Sequence, residues 1–256
     1  MIKANLLKTK LAEGKPLFGM LNSVPSPIIC EMLAYAGYDF VILDTEHVLI
    51  SDDAVAHTIR AAESAGIPLL VRVADANPAY IGKLLDAGAQ GIVISRVSSL
   101  EIAKQAIAAA KYPPLGCRGI TGGRNTGFGT LPLQEYIDIA NRETFVGLMI
   151  EDTQGIDALP EILHLDGVDM IFEGALDLSL SMGQGTEFNH PAVQDNIHFM
   201  ASLCLQQAVP FCAIPRLPGQ KSAWCKQGIT AFLVGEDRGL IFKQLKHQLQ
   251  HLKHDE

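Results

Sequence analysis

The sequence predicts an α/β fold: a (β/α)8 TIM barrel formed as a single domain. Its 256 residues match the usual span of one such barrel. Eight short β-rich apolar runs recur along it, each followed by a longer helical pattern, as parallel β-α units require. Charged residues gather where those runs end, the side on which a barrel builds its site.

The first run is Leu17 to Leu21. Ser26 then reads as a helix N-cap with Pro27 at the first helical position, and Ile28, Ile29, Met32, Leu33 and Ala36 fall on one predicted apolar face ended by Gly37. Runs two to four are Phe40 to Leu43, Pro68 to Val73 and Gly91 to Ser95. Ser98 and Glu101 have capping-box spacing before a helix over Ile102 to Ala110, which Tyr112-Pro113-Pro114 closes. The glycine- and proline-rich stretch Pro113 to Leu133 is too long for a turn and is expected to be an active-site loop or lid. Runs five and six are Phe145 to Ile150 and Val168 to Phe172, and a second loop is expected over Leu178 to Asn189. A helix over Pro191 to Gln207 leads to the last runs, Pro210 to Ile214 and Thr230 to Val234. An amphipathic helix over Leu240 to Leu252 ends the pattern in a polar tail. No linker, low-complexity segment or repeat longer than the β-α unit occurs, so one domain over 1–256 is expected.

Hydrophobic residues make up 48% and charged residues 19%, enough apolar material for a large core. A net charge of -8 with no basic tract argues against a nucleic-acid partner. No apolar stretch has the length of a membrane span, and the basic start carries no secretory pattern, so a cytoplasmic location without a membrane partner is expected. Cys30, Cys117, Cys204, Cys212 and Cys225 lack any CxxC spacing and suggest neither a disulfide framework nor a zinc site. No GxGxxG or P-loop signature occurs.

The strand ends supply the candidates. Run two leads into Asp44-Thr45-Glu46-His47, where His47 follows two carboxylates able to orient its ring for proton transfer. A solvated loop histidine is the plainer reading. His57, His164, His190, His198, His247, His251 and His254 lie on predicted helices or their flanks and are read as structural or solvated. Arg72 ends an apolar run, and a buried guanidinium needs an anion: an enolate oxygen of a substrate, or Asp44 or Glu46 in a structural salt bridge. Glu151 and Asp177 are hard oxygen donors that suit Mg²⁺ or Mn²⁺, or else ordinary loop carboxylates. Gly174 and Ala175 would bring backbone N–H groups against a substrate carboxylate. Arg118 and Arg124, on the long loop, would meet a second carboxylate or a phosphorylated cofactor, or solvent.

These residues resemble the HpcH/HpaI family of class II aldolases, in the phosphoenolpyruvate/pyruvate barrel superfamily, over nearly the whole chain. The likeness is carried by Ala36-Gly37-Tyr38-Asp39, Asp44-Thr45-Glu46-His47, Val71-Arg72-Val73, Leu85-Asp86-Ala87-Gly88-Ala89-Gln90-Gly91, Tyr112 to Gly119, Ile150-Glu151-Asp152 and Gly174 to Ser179. The resemblance implies His47 as general base supported by Asp44, Arg72 on the keto or enolate oxygen, and Glu151 and Asp177 on a metal. It also implies a hexamer, often a trimer of dimers exchanging C-terminal helices. Met149, Asp152 and Glu173 stand where ordinary pyruvate aldolases carry Gln, Thr and an apolar residue, and Ser95-Arg96 stands where relatives often have proline.

Phe18-Gly19, Asn22-Ser23, Pro25-Ser26-Pro27, Met149 to Asp152, Glu173-Gly174-Ala175 and Val234 to Gly239 are similar instead to the siderophore-cluster citrate synthases of the superfamily, a metal-independent subgroup. The expected reaction forms or breaks a carbon–carbon bond next to an α-keto acid. The first reading is condensation of oxaloacetate with acetyl-CoA as co-substrate. The others are metal-dependent cleavage of a 4-hydroxy-2-keto acid to pyruvate and an aldehyde, and a non-catalytic keto-acid-binding protein.

Overall fold

Eight parallel strands close into a barrel in simple sequence order in the computed structural model, which describes residues 1–253. They are β1 (Leu17–Asn22), β2 (Phe40–Asp44), β3 (Leu69–Val73), β4 (Gly91–Ile94), β5 (Phe145–Ile150), β6 (Met170–Glu173), β7 (Phe211–Ala213) and β8 (Ala231–Glu236). The first and last strands seal the cylinder, Leu17 pairing with Ala231 and Phe18 with Phe232. Each apolar run expected from the sequence forms a strand, with ends shifted by a residue or two.

Alternation along the strands divides the core in two. Phe40, Ile42, Leu70, Val93, Phe145, Met149, Met170, Phe172 and Leu233 pack together inside the barrel. Val41, Leu43, Val71, Ile92, Ile94, Val146, Leu148 and Ile171 point the other way and pack with the buried faces of the helices. The interior is tight at Gly19, where a β-carbon would overlap the ring of Phe40, so only glycine fits beside that phenylalanine.

The helices depart from expectation in instructive places. Pro27–Tyr35 follows Ser26, whose side chain makes no capping bond. Cys30 and Leu33 are its buried residues, while Ile28 and Met32 are exposed, so the predicted apolar face is only half used. The helix Leu100–Ala110 is capped by Ser99, whose hydroxyl accepts the Ile102 N–H at 3.3 Å, and Ser98 lies outside it. Leu178 does not open a loop but belongs to the helix Ala175–Ser181. Pro191–Gln206 forms as expected, capped by the His190 ring. The last helix begins earlier than expected, at Asp237, and runs to Lys253; His254 lies outside the described residues. Among the described residues, all five cysteines are free and no helix is long and apolar enough to cross a membrane.

The largest correction concerns the stretch Pro113 to Leu133. It connects the helix Leu100–Ala110 to a further helix, Leu133–Glu143, that leads into β5, rather than a strand to a helix, and so lies at the N-terminal end of the barrel. Its backbone and side chains bond the C-terminal ends of helices there: Cys117 N–H donates to Ala108, Arg124 to the Ala87 carbonyl and Asn125 to that of Leu85. It is not a lid over the mouth of its own barrel.

Candidate active site

Strand parity aims the polar residues. Phe40 and Ile42 point inward, so Asp44 does too; Leu70 is followed in the same phase by Arg72, Val93 by Ser95, and Met149 by Glu151. Four adjacent strands therefore end with a polar side chain on the inner side of one rim.

Arg72 and Asp44 are the centre of this rim, 9% and 1% exposed. The guanidinium donates from Nε to Asp44 Oδ1 at 3.0 Å and from Nη2 to Oδ2 at 2.8 Å, a two-pronged geometry that fixes its plane. Glu46 also lies 3.4 Å from Nε. Asp44 Oδ1 also accepts the N–H groups of Glu46 and His47, at 3.0 and 3.3 Å, and Thr45 binds the Arg72 carbonyl. Burial pushes the Asp44 carboxyl up, but the Arg72 bonds and charge with those two N–H groups outweigh it and hold it below the usual carboxylate range. The salt bridge expected as one reading of Arg72 thus exists, yet it leaves Nη1 without a partner among the described residues.

Glu46, expected from the sequence only beside His47 or as a salt-bridge partner of Arg72, is almost buried and accepts the Ser95 hydroxyl at 2.5 Å. The His47 ring is 52% exposed, with Nε2 3.7 Å from Glu46, beyond hydrogen-bond reach. Glu151 is buried and accepts the backbone N–H of Arg96 at 2.8 Å. Burial pushes its carboxyl up to about 7; the neighbouring charges of Asp177 and Glu46 add to the rise, and the Arg96 N–H and the Arg72 charge oppose it. A β-carbon on Gly174 would overlap the Glu151 carboxylate, so glycine there lets the acid lie against the backbone. The Gly174 N–H is directed at the Ile150 carbonyl at 3.4 Å, and Ala175 opens the short helix that carries Asp177 in its first turn.

Two further pairings brace the rim. Glu173 accepts both terminal nitrogens of Arg216, at 2.9 and 2.8 Å, and the Ile214 N–H at 2.8 Å, tying β6 to the segment after β7. Asp237 accepts from the Asn22 side chain at 2.5 Å and from the Ser23 N–H at 2.8 Å, tying the end of β8 to that of β1.

Arg118 and Arg124 are not brought to this rim. Arg118 is buried at the other end of the barrel, donating to Asp86 at 2.6 Å and stacking over the Tyr112 ring at 4.8 Å. Arg124 is bound by Glu63 and the Ala87 carbonyl. Within this chain both are structural, because a loop that follows a helix returns to the side opposite the strand ends.

Glu151 and Asp177 offer the hard oxygens a divalent ion prefers, but their surroundings do not fit one. The Arg96 guanidinium, carried on the residue that donates to Glu151, stands 3.9 Å from Asp177 and 3.8 Å from Glu46. No three His, Cys, Asp or Glu side chains among the described residues are grouped to hold a metal.

Comparison with known proteins agrees with the barrel fold. Residues 18–233 match the HpcH/HpaI aldolase/citrate lyase family. The chain is 31% identical to a 5-keto-4-deoxy-D-glucarate aldolase of Enterobacter sp. (strain 638), over 96% of this chain and 95% of that one. Among solved structures it resembles the citrate synthase SbnG at 37% identity and a TM-score of 0.89, covering 96% of this chain and 97% of that one. An HpcH/HpaI aldolase from Desulfitobacterium hafniense DCB-2 is 30% identical with a TM-score of 0.91, covering 98% of both chains. With a closed barrel, polar strand ends and a family match spanning most of its length, this chain belongs to the HpcH/HpaI aldolase/citrate lyase family and is an enzyme of that kind.

Proposed function

We propose that this enzyme joins acetyl-CoA to oxaloacetate to give citrate and free CoA, without a metal ion. The observation that supports it most is the Arg72 guanidinium, fixed in orientation by Asp44 yet keeping Nη1 free to receive an oxygen. A donor of fixed orientation in a buried mouth is suited to the charge that develops on a keto oxygen during attack at the adjacent carbon.

In this reading Glu151 takes a proton from the acetyl methyl group, a task for which a carboxyl near neutral pKa is suited. The resulting enolate attacks the keto carbon of oxaloacetate, forming the new carbon–carbon bond, and the former keto oxygen gains a proton. Water then cleaves the thioester, releasing CoA thiol and the third carboxylate of citrate. His47, half in solvent beside Glu46, passes protons between the mouth and bulk water. Gly174 and Ala175 form the wall against which the keto acid's carboxylate rests. The 37% identity to a citrate synthase supports this choice over aldol cleavage. The exposed Phe242, Leu245, Leu249 and Leu252 share one face of the last helix, an apolar surface suited to the expected subunit assembly.

Purified protein with oxaloacetate and acetyl-CoA, assayed for thiol and citrate with and without EDTA, tests this. EDTA-resistant formation of both is expected. Absence of both, with EDTA-sensitive release of pyruvate from a 4-hydroxy-2-keto acid, would replace the proposal with a metal-dependent aldolase.

A further inference from the structure

The chemistry proposed above draws on β2, β3 and β5 and leaves the residue after Ser95 unexplained. Arg96 is one of three non-glycine residues with positive φ among the described residues, at 51°, a conformation that long side chains adopt at a cost. The turn it makes serves the mouth in two ways. The Arg96 N–H reaches Glu151 at 2.8 Å, and the guanidinium extends to Glu46 and Asp177 at 3.8 and 3.9 Å. Those two carboxylates come from different strand ends, and no other arginine or lysine pairs with Asp177 among the described residues.

The charge count makes the arrangement meaningful. Asp44, Glu46, Glu151 and Asp177 converge on a mouth that holds the guanidiniums of Arg72 and Arg96. The charge of Arg72 is already balanced by Asp44 and Glu46, although its Nη1 stays open. Asp177, whose charge acts on Glu151, would otherwise have no cation against it, a condition under which carboxylates recruit a divalent ion. A guanidinium on a neighbouring strand end meets the same electrostatic demand, and like-charge repulsion disfavours a second cation beside it.

We propose that Arg96 is the built-in cation of this mouth: it offsets Glu46 and Asp177, keeps Mg²⁺ and Mn²⁺ out, and offers its exposed guanidinium to a carboxylate of the keto acid. This positioning role rests on the reading of the rim as a keto-acid site, while its first test requires no turnover. Arg96→Gly preserves the left-handed backbone and the N–H to Glu151 and deletes only the side chain; Arg96→Lys keeps the charge. Mn²⁺ binding is measured on the folded proteins by electron paramagnetic resonance at pH 8, where Glu151 is ionised.

Arg96→Gly is expected to bind Mn²⁺ at least about tenfold more tightly than the parent protein. That gain should vanish when Asp177→Asn is added, and Arg96→Lys should restore exclusion. In steady state with oxaloacetate, Arg96→Gly should raise KM by at least about tenfold with a smaller change in kcat. Equal Mn²⁺ affinity in the parent and Arg96→Gly, whether both bind or neither does, would overturn the proposal. If the parent made no citrate, the Mn²⁺ comparison would still decide the role of Arg96, so failure of the citrate reading and failure of this one remain distinguishable.

Discussion

Replacing Glu151 with Gln keeps the shape of the side chain and an acceptor for the Arg96 N–H while deleting the charge that burial opposes. The carboxyl is raised from 4.5 to about 7, so the folded protein holds this proton more tightly than the unfolded chain does. Its contribution to stability is therefore complete below 4.5 and is lost as pH rises through about 7. At about 1.4 kcal/mol per pKa unit, the loss amounts to about 3 kcal/mol. Glutamine does not ionise and suffers none of it. Urea unfolding in the presence of chelator should thus find Glu151→Gln more stable than the parent by about 3 kcal/mol at pH 8.5, the gap shrinking below about 1 kcal/mol at pH 5. A difference independent of pH, or a less stable variant at pH 8.5, would refute the assignment of Glu151 as a buried acid strained by its charge.

With Glu151 as the base, the citrate-forming rate should rise with pH through about 7 and collapse in Glu151→Gln, as a pH–rate profile would record. Gly174→Ala should displace the Glu151 carboxylate, costing roughly 1–3 kcal/mol in thermal unfolding and most of kcat. Asp44→Asn removes the two-pronged partner of the buried Arg72 and leaves it only Glu46, and should destabilise the protein by up to about 3–5 kcal/mol at pH 7 while raising KM for the keto acid. Because Asp44 is held below its usual range, the stability it confers is full above that range and fades as pH falls through the depressed value. The gap between Asp44→Asn and the parent should narrow on acidification.

Much of this was legible in the sequence because a barrel writes its geometry in a period of two. The Phe40-Ile42-Asp44 and Leu70-Arg72 phases announce inward-facing polar ends, and the glycines and capping residues mark where helices stop and start. Asp44, Arg72 and Glu151 are consequently found together at one rim. Ser95 follows the same parity, but a small hydroxyl gives little reason to single it out until Glu46 is seen against it. Arg96 was harder to read: its role depends on a left-handed backbone that no local residue preference favours. Arg118 and Arg124 lie away from the expected rim because glycine richness and length suggest a functional loop without saying at which end of the barrel a connection that follows a helix returns. Ile28 and Met32 show the limit of helical periodicity, which says which residues share a face but not whether anything in the same chain covers it.

The most direct trial of the chemistry is to follow carbon itself. Acetyl-CoA labelled with ¹³C at the methyl group, mixed with oxaloacetate and the enzyme in EDTA, should yield citrate with the label in a methylene carbon and one free thiol per citrate by NMR and thiol titration. Arg72→Lys, with the pairing to Asp44 retained but the forked donor lost, should slow this at least about a hundredfold. Unlabelled pyruvate as the main product, or undiminished citrate from Arg72→Lys, would contradict the role given to this arginine and the condensation built upon it.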